Sequence, residues 1–331
     1  MALTLPNDWV WDCWLYPEQL DGLWHIFYLK APRSLGDPEL RHGNATVGHS
    51  TSPDLTNWTH HGTVLRPGPA GAWNDRAIWT GSVFKAPDGK FNIFFTGTNK
   101  SHEGGLVQRV GRAIGDDLFS FTQTELVVEA DESLYERLDQ SDFTASAAAL
   151  NWREEAWRDP WVFFDERDGL WHMLVTARLK GFDTMNRGTV GHATSTDLNS
   201  WTIQPALTGP TGFAQLEVFQ IVKVDDRYVV IFCVGGPDID AASGRPQISA
   251  TYSAPADSPT GPFYFDESEI IDDGTHYAGR VVLDTDGVYK LLGFEIAGTQ
   301  GFTGSIGDPV ALELTERGTF KAVSADKSVT V

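Results

Sequence analysis

The sequence is poor in cysteine, has no excess of basic residues and contains no long hydrophobic run, and each shortage excludes a class of protein. Two cysteines, Cys13 and Cys233, occur in 331 residues, and they do not suggest a disulfide framework. Lys and Arg number 25 against 45 Asp and Glu, which gives a net charge of −20. Such a field disfavours nucleic acid and anionic membranes as partners, and it favours a neutral substrate.

Segments that would target or anchor the chain are also missing from the sequence. The opening residues, MALTLPNDWVWD, contain no basic stretch followed by an apolar one, and no transmembrane run occurs later. We therefore expect a cytoplasmic protein whose substrate is small or imported. No Gly-rich segment follows a strand and opens a helix, and no His, Cys and carboxylate cluster has transition-metal spacing. No cofactor and no metal are predicted.

A short apolar strand pattern is repeated five times along the chain. The copies are GLWHIFYL (22–29), GKFNIFF (89–95), GLWHMLV (169–175), RYVVIFCV (227–234) and GVYKLLGF (287–294). Four of them begin at an Asp-Gly pair and the fifth follows Asp225-Asp226. Asp-Gly between apolar runs is typical of a tight hairpin in which both central residues have positive φ. Another apolar run lies about ten residues before each copy, so each copy is the second strand of a hairpin.

The repeat continues beyond each hairpin with a third and a fourth strand. GHSTSPDLTNWT (48–59), GRAIGDDLFSFT (111–122) and GHATSTDLNSWT (191–202) align without gaps. Four strands repeated five times predict an all-β, five-bladed β-propeller with an axial pocket. With no linker visible, we expect residues 1–331 to form a single domain. The acidic stretch 131–149 is the best candidate for a short helix or surface loop.

Three acids occupy one equivalent position in three of the repeats. Asp12 precedes Trp24 by 12 residues, Asp159 precedes Trp171 by 12, and Glu217 precedes Tyr228 by 11. Equivalent positions of a radial repeat converge on one axis, so the three carboxyl groups should meet there. Each acid alone is compatible with a structural role. Together they suit glycoside cleavage, which needs a protonated acid at the leaving oxygen and a carboxylate on the other side of the anomeric carbon.

Residues beside the acids, or at equivalent places in other blades, are candidate sugar contacts. Glu217 is the only acid in a long apolar stretch, and burial there favours the protonated form that a general acid requires. Arg158 precedes Asp159 directly and should hold that neighbour charged. The predicted substrate-binding residues are Trp11, Trp14, Trp79, Thr80, Ser82, Arg158, His276 and Tyr277.

Four motifs in order resemble the five-bladed furanosidases of glycoside hydrolase families 32 and 68, with families 43 and 62 further off. VWDCW (10–14), IWTGS (78–82), WRDP (157–160) and QLEVFQ (215–220) carry the resemblance, which covers nearly the whole chain. It implies that Asp12 is the nucleophile, that Asp159 stabilises the transition state and that Glu217 is the acid/base. The sequence lacks the WMNDPNG form of the family 32 nucleophile segment and a Cys after Glu217, so we expect a divergent, minimal member.

The expected activity is that of a retaining β-fructofuranosidase acting on small fructosides or fructo-oligosaccharides. Three alternatives remain open at this point. One is an inverting arabinofuranosidase or xylosidase of the family 43 type, in which Asp12 would be a base. Another is a fructosyltransferase or dianhydride-forming enzyme with the same covalent intermediate. The last is a non-catalytic sugar-binding propeller, which three buried acids disfavour.

Overall fold

Five four-stranded antiparallel sheets follow one another along the chain, and they form the five-bladed propeller that the repeat predicts. A computed structural model describes residues 2–100, 104–138, 155–296 and 302–323. The first blade contains β1 (Asp8–Leu15), β2 (Trp24–Pro32), β3 (Thr46–Ser52) and β4 (Thr59–Leu65). The second contains β5 (Ala77–Lys85), β6 (Phe91–Thr98), β7 (Gln108–Gly115) and β8 (Thr122–Val128). The third contains β9 (Trp157–Asp165), β10 (Leu170–Arg178), β11 (Gly188–Ser195) and β12 (Thr202–Gln204).

The last two blades are built in the same way. The fourth contains β13 (Glu217–Val224), β14 (Arg227–Val234), β15 (Ala250–Ala256) and β16 (Glu269–Ile270). The fifth contains β17 (His276–Leu283), β18 (Tyr289–Glu295), β19 (Val310–Leu314) and β20 (Phe320–Ala322). The described helical segments are short 3-10 turns: Arg33–Leu35, Pro38–Asn44, Gly236–Asp238, Ala241–Ser243 and Phe265–Glu267. Among the described residues, no helix is both long and apolar enough to cross a membrane.

The hairpin turns lie where the Asp-Gly pairs predict them, but most differ in type from the expectation. Only Asp21-Gly22 has positive φ at both residues, 52° and 77°. At Gly89 and Gly287 the glycine alone has positive φ, 84° and 75°. Each of these glycines donates its N–H to the carbonyl three residues earlier, at 2.9 and 3.1 Å. This is the geometry of a three-residue loop in which glycine supplies the left-handed position.

Each of the five innermost strands has an irregular register at the position where the sequence places an acid or its equivalent. The shifts fall between Trp11 and Cys13, between Trp79 and Gly81, opposite Leu174 to Thr176, between Glu217 and Gln220, and between Tyr277 and Arg280. Asp159, Val218 and Ala278 have φ of 59°, 57° and 50° in these bulges. A bulge bends the strand and turns a side chain away from the regular alternation. The repeated bulge therefore aims one set of side chains at the centre of the ring.

Backbone bonds between the first and last blades close the ring. Leu3 and Ile306 exchange two hydrogen bonds, at 2.8 and 3.1 Å, and Val10 donates to the carbonyl of Gly304 at 3.1 Å. Ile306 also bridges Phe294 of β18. The start of the chain is thereby paired with the fifth blade, which protects edges that an open array would leave exposed.

A pair of buried histidines connects the second and third strands in each of two blades. His25 Nδ1 lies 3.0 Å from His49 Nε2, and His172 Nδ1 lies 2.9 Å from His192 Nε2. Burial lowers the pKa of His49 to about 3 and that of His192 to about 4. His49 and His192 are therefore neutral core groups at neutral pH, as their repeated positions suggest.

The acidic 131–149 stretch is described in part. Residues 131–138 contain a turn, and Tyr135 forms an isolated bridge with Leu179. The rest of the 131–149 stretch lies outside the described residues.

In the β9–β10 turn, ligand atoms of Asp165, Asp168 and His172 lie within 4.8 Å of one another, a grouping that the sequence did not indicate. Arg167 contacts both oxygens of Asp165, so a protein cation already neutralises that carboxylate.

Candidate active site

Hydrogen bonds between side chains join Asp12 to β5 and join Glu217 to β9 and β17. The Thr80 hydroxyl of β5 donates to Asp12 Oδ2 of β1. Arg158 of β9 donates to Glu217 Oε1 of β13, and the Tyr277 hydroxyl of β17 donates to Glu217 Oε2 at 2.6 Å. All five blades thus contribute to one cluster of polar groups at the ring centre.

Asp12 lies in the bulge of β1, largely buried beside Trp11 and Cys13. Burial raises the pKa of Asp12 to about 6, with a smaller contribution from the negative charge of Glu217. The Thr80 hydroxyl opposes that rise because it donates a hydrogen bond to the ionised form. Asp12 is therefore ionised at neutral pH with few hydrogen bonds to weaken it, which suits a nucleophile.

Asp159 has a strained backbone that its neighbours hold in place. Its φ is 59°, and its N–H donates to the Thr96 hydroxyl at 2.8 Å. Thr176 donates to Asp159 Oδ2 at 2.9 Å, and Arg158 Nε lies 3.4 Å from the same oxygen. Burial raises the pKa of Asp159 to about 7 despite the charge of Arg158. A non-glycine residue in the left-handed region is costly, and such strain clusters at functional sites.

Glu217 receives hydrogen bonds at both of its oxygens. Oε1 accepts from Arg158 and from Gln215 Nε2, the latter at 2.9 Å, and Oε2 accepts from Tyr277. Burial, followed by the charge of Glu217, raises the pKa of Tyr277 well above its usual range. Tyr277 is therefore a neutral phenol that donates to Glu217.

Three polar residues around the acids, Gln108, Arg178 and Gln215, were not identified from the sequence. Gln108 accepts from Arg158 Nη1 at 3.2 Å and from the Trp157 N–H at 3.1 Å, and it holds the Arg-Asp-Pro segment on β7. Arg178 donates to Gln215 Oε1 at 2.8 Å, which orients the amide that reaches Glu217. Gln215 could have been found, because it lies two residues before Glu217 in QLEVFQ.

A fourth acid, Asp238, lies close enough to Glu217 to be influenced by its charge. Asp238 ends the Gly236–Asp238 turn that follows β14. Burial, then the charge of Glu217, raises the pKa of Asp238 to about 6. Asp238 has no repeat-equivalent acid, so it could not be predicted from the repeat.

The predicted aromatic contacts divide between the site and the core. Trp79 is half-buried and donates its Nε1–H to the His42 carbonyl at 2.8 Å. Trp11 is almost fully buried, with its ring 6.1 Å from that of His42 and edge-on to it. Trp14 is fully buried and stacks on Phe27 at 6.3 Å between centroids. The structure places Trp14 in the hydrophobic core and not among the residues that contact the acids.

Ser82 and His276 are also engaged in contacts of their own. Ser82 Oγ accepts from the Val162 N–H at 3.2 Å, so it joins the second and third blades. His276 Nδ1 lies 2.8 Å from Asp272 Oδ2, which orients the imidazole. Thr80, Arg158 and Tyr277 are the predicted contacts that the structure brings directly to the acids.

The bulges explain why Trp14 and Ser82 do not lie with the groups that are hydrogen-bonded to the acids. In a regular strand, residues two apart share a face, so Trp14 would accompany Asp12 and Ser82 would accompany Thr80. The register shifts at Asp12 and Thr80 break that alternation. Trp14 instead stacks on Phe27 of its own blade, and Ser82 is turned toward the third blade.

The chain is similar in sequence to glycosyl hydrolases. A family model described as the glycosyl hydrolases family 32 N-terminal domain matches residues 15–298, a range that contains Asp159 and Glu217 and begins just after Asp12. Sucrose-6-phosphate hydrolase of Bacillus subtilis is 26% identical over 199 residues, covering 60% of this chain and 34% of the relative. Fructan 6-exohydrolase of Beta vulgaris is 29% identical over 198 residues, covering 59% and 28%. The matched stretches thus span about a third of these relatives' own length.

Solved structures show the same fold across nearly the whole chain. Inulosucrase from Halalkalicoccus jeotgali, bound to kestose, superposes with a TM-score of 0.75 at 21% identity, covering 97% of this chain and 89% of that one. Levansucrase of Bacillus subtilis superposes with a TM-score of 0.75 at 14% identity, covering 97% and 87%. At these identities the likeness concerns the fold alone.

Proposed function

The chain belongs to glycosyl hydrolase family 32, and on that premise we propose that its propeller is a single catalytic domain that hydrolyses β-fructofuranosides with retention of configuration. The carrying observation is that Asp12 and Glu217 meet at the ring centre in contrasting surroundings. Asp12 accepts one hydrogen bond from the Thr80 hydroxyl. Glu217 accepts hydrogen bonds from the guanidinium of Arg158, the amide of Gln215 and the phenol of Tyr277. Retaining glycosidases require two carboxyl groups with different roles. The motifs VWDCW and QLEVFQ, rather than these hydrogen bonds, assign Asp12 as the nucleophile and Glu217 as the acid/base.

In the first step, Asp12 attacks the anomeric carbon and Glu217 donates its proton to the departing oxygen. Thr80 keeps the attacking carboxylate oriented through its hydrogen bond. The product of this step is a fructosyl ester on Asp12 and a free alcohol. In the second step, Glu217 takes a proton from water, which attacks the ester and releases the sugar and the Asp12 carboxylate.

Asp159 and Arg158 position the sugar ring in this scheme. Asp159 is buried beside both other acids, and its carboxylate is suited to bind ring hydroxyl groups that gain positive character in the transition state. Arg158 contacts both Asp159 and Glu217, so it couples the ring-binding group to the acid. Arg158 also offsets part of the negative charge that three acids concentrate in one pocket.

The names of the relatives support a fructoside substrate. Sucrose-6-phosphate hydrolase and fructan 6-exohydrolase are named for fructosides, and several beta-fructofuranosidases also match. Transfer of the fructosyl group to a sugar acceptor uses the same intermediate. The alternative activity is that of an inverting enzyme of the family 43 type, which would cleave arabinofuranosides or xylosides instead of fructosides.

A panel of substrates tests the proposal. We expect the purified protein to release fructose from sucrose or fructo-oligosaccharides and to leave aryl arabinofuranosides and xylosides intact, because its relatives are named for fructosides. Products resolved by chromatography distinguish hydrolysis from transfer, which would yield longer oligosaccharides. Asp8→Asn, in the same strand as Asp12 but paired with Lys30, is a control that should keep the wild-type pattern. Release of arabinose or xylose without fructose would contradict the assignment.

A further inference from the structure

One buried arginine at the ring centre contacts all four of the other blades. Arg280 lies in β17, and 1% of its surface is exposed. Its Nε donates to the Cys13 carbonyl of β1 at 3.4 Å, and its Nη2 donates to the Gly81 carbonyl of β5 at 3.5 Å. Its Nη1 donates to the Val218 carbonyl of β13 at 3.2 Å and to that of Phe219. Its Cζ lies 5.2 Å from the ring centroid of Trp161 in β9.

Each accepting carbonyl directly follows a residue of the candidate site or lies in its bulge. Cys13 follows Asp12, Gly81 follows Thr80, and Val218 follows Glu217. A bulge interrupts the ladder, so its backbone groups need partners from elsewhere. The planar guanidinium has five donors in a fixed arrangement, and it satisfies carbonyls on three strands at once.

We propose that Arg280 is a positioning residue that sets the relative placement of Asp12, Thr80 and Glu217 and supplies positive charge beneath the acids. This inference rests on the proposed function of the same site. Arg280 acts through the backbone that follows each residue rather than by touching substrate, since it is enclosed by the five innermost strands. A small change in its reach would alter the separation of the nucleophile and the acid.

The charge of Arg280 acts on the acids in a direction opposite to burial. Arg280 and Arg41 lower the pKa of Asp12, whereas burial and Glu217 raise it. The titratable groups that act on Arg280 are Cys13, Cys233, Asp159 and Asp12, and burial lowers its own pKa. Removing the guanidinium charge should therefore leave Asp12 harder to ionise.

Two substitutions separate the geometry from the charge. Arg280→Lys keeps the charge and loses the planar fork, so kcat should fall roughly 100-fold through misplacement while KM changes little. Arg280→Gln loses the charge and keeps some donors, so the acidic limb of the kcat/KM profile should also move to higher pH. The pKa of Asp12 is read independently from its carboxyl ¹³C resonance, assigned by its loss in Asp12→Asn, and Arg280→Gln should raise it by roughly one unit.

Gln220 offers a matched control for a purely structural role. Gln220 Nε2 donates to the Val281 carbonyl at 2.7 Å, and its Oε1 accepts from the Val281 N–H at 2.8 Å. Gln220 therefore joins β13 to β17, as Arg280 does. Among the described residues, its side-chain hydrogen bonds reach neither β1 nor β5. Gln220→Met should lower the melting temperature and leave kcat per folded molecule and the pH profile unchanged.

The outcomes distinguish this inference from the proposed function. Wild-type kcat in folded Arg280→Lys would overturn the positioning role, and so would a kcat loss in Gln220→Met as large as that in Arg280→Lys. If the wild-type protein cleaves no furanoside, the proposed function falls. The ¹³C titration then decides the remaining part: an unshifted Asp12 in Arg280→Gln overturns the inference, and an upward shift supports it.

Discussion

Glu217→Gln is expected to reduce turnover of a natural fructoside by about 1,000-fold, within the range for loss of a general acid. The amide cannot give a proton to the departing oxygen. It keeps the shape of the carboxyl group, and its oxygen can still accept from Arg158 or Tyr277. Steady-state kinetics on sucrose or a fructo-oligosaccharide, with a thermal melt to confirm folding, measure the effect.

An activated substrate provides the internal control for Glu217. A nitrophenolate leaving group hardly needs protonation, so the first step should be spared in Glu217→Gln. Breakdown of the covalent intermediate still lacks its base, so we expect a burst of nitrophenolate followed by slow turnover. Near wild-type turnover of the natural substrate would show that the acid lies elsewhere.

Asp12→Asn is expected to abolish turnover and to stabilise the fold at neutral pH. The amide is a poor nucleophile, so no ester forms, and turnover should fall by more than 1,000-fold, roughly as for removal of other covalent nucleophiles. The Asn oxygen can still accept the hydrogen bond from Thr80. Kinetics on both natural and activated substrates should show the loss, because no leaving group replaces the nucleophile.

The stabilising effect follows from the sign of the pKa shift. Burial raises the pKa of Asp12 from 3.8 to about 6, so between these pH values the folded protein holds a proton that the unfolded chain has released. The free energy of unfolding therefore falls as pH rises through this window. Above about pH 6 the ionised Asp12 costs at most about 3 kcal/mol, and Asn does not carry this cost.

Melting temperatures at two pH values check this stabilisation. Asp12→Asn should melt above wild type at pH 7 and close to it near pH 3, where the wild-type residue is largely protonated in both the folded and the unfolded state. Asp8→Asn, which loses a 2.7 Å ion pair with Lys30 in the same strand, should be destabilised slightly or not at all and should keep its activity. An Asp12→Asn protein that melts below wild type at pH 7 would contradict the desolvated carboxylate.

The pH dependence of activity should run the other way. Asp12 attacks only when ionised, so kcat/KM should decline below about pH 6 as the nucleophile becomes protonated. The same buried carboxylate thus costs stability where it provides activity. This opposition is expected of a group placed for catalysis rather than for folding.

The sequence predicted the blades and the acids because both depend on local repetition. Asp-Gly turns mark the hairpins, and the spacing from each acid to the next strand shows that the three positions are equivalent. Thr80 was found by the same equivalence, and it does contact Asp12. Repetition carries this information without any knowledge of contacts between blades.

The rest depends on contacts that repetition does not encode. Trp14 and Ser82 lie apart from the groups bonded to the acids because a bulge changes the side on which a residue points, and the exact position of a bulge is set by packing. Arg280 and Gln108 contact residues in other blades. Neither residue type recurs at the equivalent position of another blade. Such residues become visible only when the ring is closed.

The configuration of the first-formed sugar tests the central claim most directly. We expect proton NMR of early hydrolysis to show β-fructofuranose before it equilibrates, because two displacements at the anomeric carbon, the first by Asp12, restore the starting configuration. First appearance of the α anomer would mean a single displacement by water. That result would exclude Asp12 as the nucleophile and contradict the mechanism.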